Sequence, residues 1–145
     1  MRKISKEIAK AFIEGKEIYQ RGRNTVTYGG SIFLFDNEIA WWETSKGLNR
    51  QSDVINPIVA SDDNIHLCFS MCGWGTPTTR ERLNTLFALL FEDDDLCLFQ
   101  KNHKQFLSVN GVDYEIDDSE RLTLRKVKNH PVFLDEEIRE DLIFD

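Results

Sequence analysis

The residues that could do chemistry are few and scattered. Three cysteines, Cys68, Cys72 and Cys97, together with His66 and His103 supply the soft metal ligands, and no Cys-x-x-Cys or His-x-x-x-His spacing occurs among them. On one extended strand Cys68 and Cys72 would lie about 13 Å apart, too far to share an ion whose bonds to sulfur are about 2.3 Å long. Buried, inert thiols are the expectation, with no metal and no cofactor. An odd number of widely spaced thiols also argues against a disulfide framework. Cys72 precedes a glycine turn and a helix start, where a helix dipole could favour a thiolate, yet the sequence sets no base beside it. There is no Gly-x-Ser-x-Gly elbow and no conventional phosphate loop. Catalysis is therefore not expected.

Binding chemistry is better represented. Gly73, Trp74, Gly75, Thr78 and Thr79 lead into a helix whose free amides could hold an anion, with Arg80 and Arg82 close by. A phosphate or nucleotide is one reading of that loop; a well-capped strand-to-helix connection is the other. A second candidate surface is aromatic: Tyr28, Phe33, Phe35 and Trp42 fall on one strand face, either buried or open to a protein partner. Arg21 and Arg23 at its rim could let it stack single-stranded bases, which the overall charge disfavours. A third is acidic. Glu92, Asp93, Asp94 and Asp95, and then Asp135, Glu136, Glu137, Glu140 and Asp141, could imitate a phosphate backbone or simply solvate the chain.

Charge sorts these options. The 145 residues carry 25 acidic and 18 basic side chains, a formal −7. Residues 1–30 are basic, with seven cationic groups against three acids, and the acidity lies beyond the midpoint. A broad nucleic-acid-binding face is disfavoured outside that N-terminal quarter, and a partner with a basic surface, or simply solubility, is favoured. The longest uncharged apolar run, Leu86 to Phe91, is far too short to span a bilayer, and the first residues lack a signal-peptide core. The expected location is the cytoplasm.

The elements that must position these residues form one α+β domain over 1–145. Ser5 reads as the N-cap of a first helix, with Ile4, Ile8, Ala11/Phe12 and a stop at Gly15. An antiparallel meander follows, turning at Gly29-Gly30 and Asp36-Asn37. That register puts Thr25, Thr27, Ile32, Leu34, Ile39 and Trp41 on one face. Val26, Tyr28, Phe33, Phe35, Ala40 and Trp42 take the other, and both faces are apolar. A long polar connection spans 45–64, a strand runs from about Ile65 to Met71, and Thr78-Thr79-Arg80-Glu81 reads as the capping box of a central helix. Glu92–Asp95 reads as a solvated turn. Asn110-Gly111 makes a hairpin in which Val109 faces Val112 and Leu107 faces Tyr114. Leu122–Val127 reads as a strand whose arginines pair with Asp113 and Glu115, and Asp135–Phe144 as a short acidic helix.

The run Trp74-Gly75-Thr76-Pro77-Thr78-Thr79-Arg80-Glu81-Arg82-Leu83-Asn84, following an Ile4-Ser5-Lys6-Glu7-Ile8-Ala9 helix and a glycine-turn meander, resembles an uncharacterised family of small bacteriophage-encoded domains. The resemblance covers Ile4–Tyr28, Phe33–Thr44 and Phe69–Ile116, and leaves out 45–64 and a C-terminal extension over 117–145. It implies a bacteriophage or prophage origin and adds no known active site. By analogy with small phage proteins, it also implies an accessory factor that binds a host protein, such as an inhibitor of a host defence or nucleic-acid-processing complex.

Overall fold

Tight turns dictate most of the architecture. In a computed structural model that describes residues 2–42, 65–127 and 129–135, four hairpins close through pairs of left-handed residues. These are Gly29-Gly30, Phe35-Asp36, Asn102-His103 and Asn110-Gly111, the type I′ geometry that matches strand twist. Helix α1 (Lys3–Glu14) is followed by β1 (Thr25–Tyr28), β2 (Ser31–Leu34), β3 (Asn37–Trp42) and β4 (Ile65–Phe69). Helix α2 (Pro77–Leu90) precedes β5 (Leu96–Lys101), β6 (Lys104–Val109), β7 (Val112–Ile116), β8 (Leu122–Lys126) and β9 (Phe133–Leu134). The strands form two antiparallel sheets, one ordered β1-β2-β3-β4-β8-β9 and one ordered β5-β6-β7.

Both helices lie against the inner faces of these sheets. Ile8 and Phe12 of α1 and Leu83, Leu86 and Phe87 of α2 pack with Ile32, Leu34, Trp42, Leu67, Phe69 and Leu124 of the larger sheet and Leu98, Leu107, Val109 and Ile116 of the smaller. Phe12 stacks flat on Trp42, centroids 4.7 Å apart. Asn84 of α2 locks the helix to β5: its Nδ2 donates to the Leu98 carbonyl at 3.0 Å, and its Oδ1 accepts the Leu98 amide at 2.7 Å.

A buried polar junction joins α1, β1 and α2. Arg82 is 5% exposed. Its Nε donates to Thr25 Oγ1 and its Nη1 to Ser5 Oγ, both at 2.9 Å, and Nη1 also reaches Glu81 Oε1 at 2.5 Å. Glu81 further accepts from the Ser5 hydroxyl, from Thr85 Oγ1 at 2.9 Å and from the Arg2 amide at 3.4 Å. Burial alone would push the Glu81 carboxyl up; these donors outweigh it and hold the group below its ordinary value.

Several expectations change. Helix α1 begins after Arg2, not Ser5, because the Ser5 hydroxyl is spent on Glu81 and Arg82; the Gly15 stop is observed, at φ 74°. The first meander turn is as expected, but the second is Phe35-Asp36, one residue earlier than Asp36-Asn37, and the register is bulged at Ile32/Phe33. Trp42 therefore turns inward with Ala40, while Trp41 moves to the opposite face beneath the Arg121 guanidinium, 4.7 Å from its ring centre. The α2 cap is Thr76, with Pro77 as the first helical residue, and Thr76 Oγ1 accepts the Thr79 amide at 3.3 Å. Thr78 and Glu81 form no capping box, since Glu81 faces α1.

The acidic turn is not all solvated. The Asp94 side chain is 3% exposed and accepts from Lys126 Nζ at 2.7 Å, the Val132 amide at 2.9 Å and Asn110 Nδ2 at 3.1 Å. Burial opposes ionisation, and these donors overcome it, so the carboxyl sits below its ordinary value. Strand β8 lies between β4 and β9 rather than beside β7, so Arg121 meets Glu38 at 4.0 Å and Arg125 meets Asp135, while Glu115 pairs with Lys104 at 3.3 Å. The expected 117–145 extension thus contributes an interior strand, β8, and the edge strand β9. The Asn110-Gly111 hairpin has the expected register, although Val112 is exposed rather than inward. The 45–64 connection and all but the first residue of the acidic helix expected over Asp135–Phe144 lie outside the described residues.

Arg82→Ala should lower the unfolding free energy by about 3 kcal/mol in chemical denaturation, with Arg82→Lys restoring only part, because a single ammonium cannot serve three acceptors at fork geometry. The depressed carboxyls of Glu81 and Asp94 contribute stability that is complete above the ordinary carboxylate range, about 4, and is lost as pH falls through their lower folded values. Denaturation midpoints measured from pH 6 downward should therefore fall on the acid side, and Asp94→Asn should flatten that fall.

Candidate functional site

The Phe35-Asp36 turn and the Met71–Thr79 connection meet over a cleft of about 400 Å³. Leu34, Ile39 and Met71 give it an apolar floor; Thr76, Thr78 and Thr79 at the start of α2 form one wall, and Asn37 lies at the edge. Phe35 and Trp74 also line it, 67% and 60% exposed. Local chemistry holds both jaws in place. Phe35 has φ 48°, a left-handed conformation that costs a bulky residue about 1–2 kcal/mol, and its amide donates to the Asn24 carbonyl at 2.7 Å. Trp74 follows two left-handed residues, Cys72 and Gly73; its amide donates to the Met71 carbonyl and the Gly73 amide to the Asp118 carbonyl, both at 2.8 Å.

The structure divides the loop residues that the sequence grouped as an anion site. Trp74, Thr78 and Thr79 line the cleft. The arginines do not join them. Arg80 Nη1 donates to the Gly75 carbonyl at 2.9 Å and Gln105 Oε1 at 3.0 Å, fastening the loop to the smaller sheet, and Arg82 points into the α1–β1 junction. Gly75 gives the Gln105 amide its room, since a Cβ would come within 2.8 Å of Gln105 Nε2 and that side chain would have to shift. Thr76 already serves the third amide of α2 and Pro77 has no N–H, so the helix start keeps little capacity for an anion. Cys72 is no thiolate: burial pushes it up, and its Sγ donates to the Glu38 carbonyl at 3.0 Å. Cys68 Sγ lies 3.3 Å from Thr123 Oγ1, Cys97 is exposed, and among the described residues no three His, Cys, Asp or Glu side chains converge.

The aromatic surface is also divided. Trp42 is 1% exposed and belongs to the core, because the bulged register turned it inward. Tyr28 and Phe33 stay on the outer face, stacked with centroids 4.6 Å apart, and Tyr19 sets its ring edge-on to Tyr28 at 5.4 Å. Tyr19 escapes a reading of the sequence; its one signal is an aromatic just before the basic turn that doubles back on β1. Of the acidic candidates, Glu92, Asp93 and Asp95 lie at the surface and the Asp94 side chain does not; Asp135 is bound by Arg125, and Glu136, Glu137, Glu140 and Asp141 fall outside the described residues. No helix among the described residues is long and apolar enough to cross a membrane.

Comparison with known proteins agrees with the resemblance read from the Trp74–Asn84 run. Neither the curated proteins nor the solved structures include a match. The profile of the family described as Kyanoviridae Gp96 protein matches residues 53–125, just over half of the chain. That span starts inside the 45–64 stretch and ends in β8, so it includes segments that the resemblance had set aside and omits α1 and the meander. It contains Met71, Trp74 and the start of α2 but not Phe35, so the two jaws of the cleft come from either side of the matched boundary. On this match the chain belongs to the Kyanoviridae Gp96 protein family, a family of phage proteins.

Proposed function

We propose that this phage protein acts inside the infected cell by binding a host protein, without catalysis, and that it takes hold of that partner through the Phe35–Trp74 cleft. One observation carries the reading. Two large aromatics stand open on turns of left-handed backbone, and the Phe35 conformation costs stability with no compensating burial. Strain of that kind at an exposed side chain is characteristic of sites kept for recognition. Exposed aromatics beside a pocket are also the usual anchors of protein interfaces. Interference with a host defence or nucleic-acid-processing complex is the role this reading suits.

A small ligand is the second reading, favoured by the cleft volume, which falls within the range of small-molecule sites. Nucleotides suit it poorly, since Arg80 and Arg82 are committed elsewhere. Thermal shift separates the two: a small ligand raises the melting temperature on its own, and a protein-binding cleft gives no shift with nucleotides or cyclic nucleotides.

Affinity capture from host lysate with wild type, Trp74→Ser and a Phe35→Asn/Asp36→Gly double variant tests the proposal. The double variant installs the residues that a type I′ turn prefers. It should raise stability by about 1 kcal/mol while lowering partner recovery, and Trp74→Ser should lower recovery with stability little changed. Undiminished capture by both variants would remove the cleft from the interaction.

A further inference from the structure

The charges around the cleft are unequally spent. Arg23 is paired with Glu7 at 3.4 Å, and Arg121 lies 4.0 Å from Glu38 and over the Trp41 ring. Arg80 is held by the Gly75 carbonyl and by Gln105. Asp36 sits exposed at the tip of the Phe35 turn. Because the Asp118 carbonyl receives the Gly73 amide, Asp117 and Asp118 lie beside the turn that carries Trp74. The Asp117 carboxylate accepts the amide and hydroxyl of its neighbour Ser119, at 2.8 and 2.6 Å, and among the described residues no cation is set against its charge. Each of the two aromatic residues that line the apolar hollow thus has aspartate near it along the backbone, Asp36 next to Phe35 and the Asp117-Asp118 segment hydrogen-bonded to the glycine before Trp74.

From this arrangement we infer that the element recognised is a short segment of the partner protein bearing one large aromatic or aliphatic side chain with lysine or arginine next to it. The inference rests on the cleft reading above and adds the chemistry of the occupant. The anchor fills the hollow over Leu34, Ile39 and Met71 beside the two exposed rings. Its cationic neighbours then lie within reach of Asp36 or of Asp117 and Asp118, where complementary charge fixes orientation and speeds encounter. An acidic or uncharged flank would leave these carboxylates facing like charge or nothing.

Selection of random twelve-residue peptides displayed against the whole protein, with counter-selection on Trp74→Ser, tests this whatever the identity of the partner. The expected result is enrichment of peptides with an apolar anchor and lysine or arginine within two positions of it. Synthesised singly, such peptides should weaken about two- to fivefold with each of Asp36→Asn and Asp118→Asn, and most of that difference should vanish at 0.5 M salt, where the screening length is about 4 Å. Asparagine tolerates the left-handed conformation of residue 36, so the charge is removed without disturbing the turn. Enriched peptides that need Trp74 but carry no basic bias and ignore both substitutions would overturn the inference and leave the cleft reading standing. Enrichment that is equal on wild type and Trp74→Ser would overturn both.

Discussion

The Arg82 guanidinium is the contact on which the rest of the arrangement depends. A cation with so little exposure persists only because Thr25, Ser5 and Glu81 each accept from it at hydrogen-bonding distance. Those partners belong to β1, α1 and α2, so one side chain fixes the mutual placement of the first helix, the first strand and the central helix. Glu81 extends the junction by receiving the Arg2 amide, which supplies α1 with the cap its own sequence lacks. With α2 fixed, Leu83, Leu86 and Phe87 must face the sheets, and Thr76 and Trp74 come to rest above Met71.

A second polar centre plays the corresponding part at the far end of α2. Asp94 gathers Lys126 of β8, Asn110 of the β6–β7 hairpin and the Val132 amide ahead of β9. The two sheets, which share no ladder, are tied there through one carboxylate. In both centres the two carboxylate oxygens are occupied by donors, Glu81 by four and Asp94 by three, which is the condition under which buried charge specifies a unique arrangement instead of weakening it.

Sequence patterns disclosed the parts that depend on neighbours along the chain. Gly29-Gly30 and Asn110-Gly111 announce their turns, Gly15 ends α1, and the Leu83/Leu86/Phe87 stripe marks the buried side of α2. The meander register was not legible, and the reason is physical. Both faces of its strands are apolar, so a slip of one residue exchanges one acceptable set of inward side chains for another, and Trp41 cannot be told from Trp42. Arg82 read as part of an anion site and Asp94 as part of a solvated turn because their partners lie 57 and 77 residues away for Arg82, and 32 and 38 for Asp94. The cleft was half visible. Phe35 and Trp74 each stood out, but only the earlier turn, with its left-handed phenylalanine, brings them to the lining of one hollow.

The Asn84 side chain has a mechanical consequence for that hollow. Its amide group imitates a peptide unit, offering Leu98 the donor and acceptor that a neighbouring strand would provide. A helix held to a sheet by apolar contacts alone can slide, because methyl groups accept many partners. One held by a paired amide has a single position, and moving one turn along its axis, about 5.4 Å, would break both bonds at once. Asn84 therefore acts as an indexing pin that sets the height of α2 against β5. Since Trp74 is carried just ahead of that helix, a residue 14 positions before Leu98 also bears on where its ring stands relative to the smaller sheet.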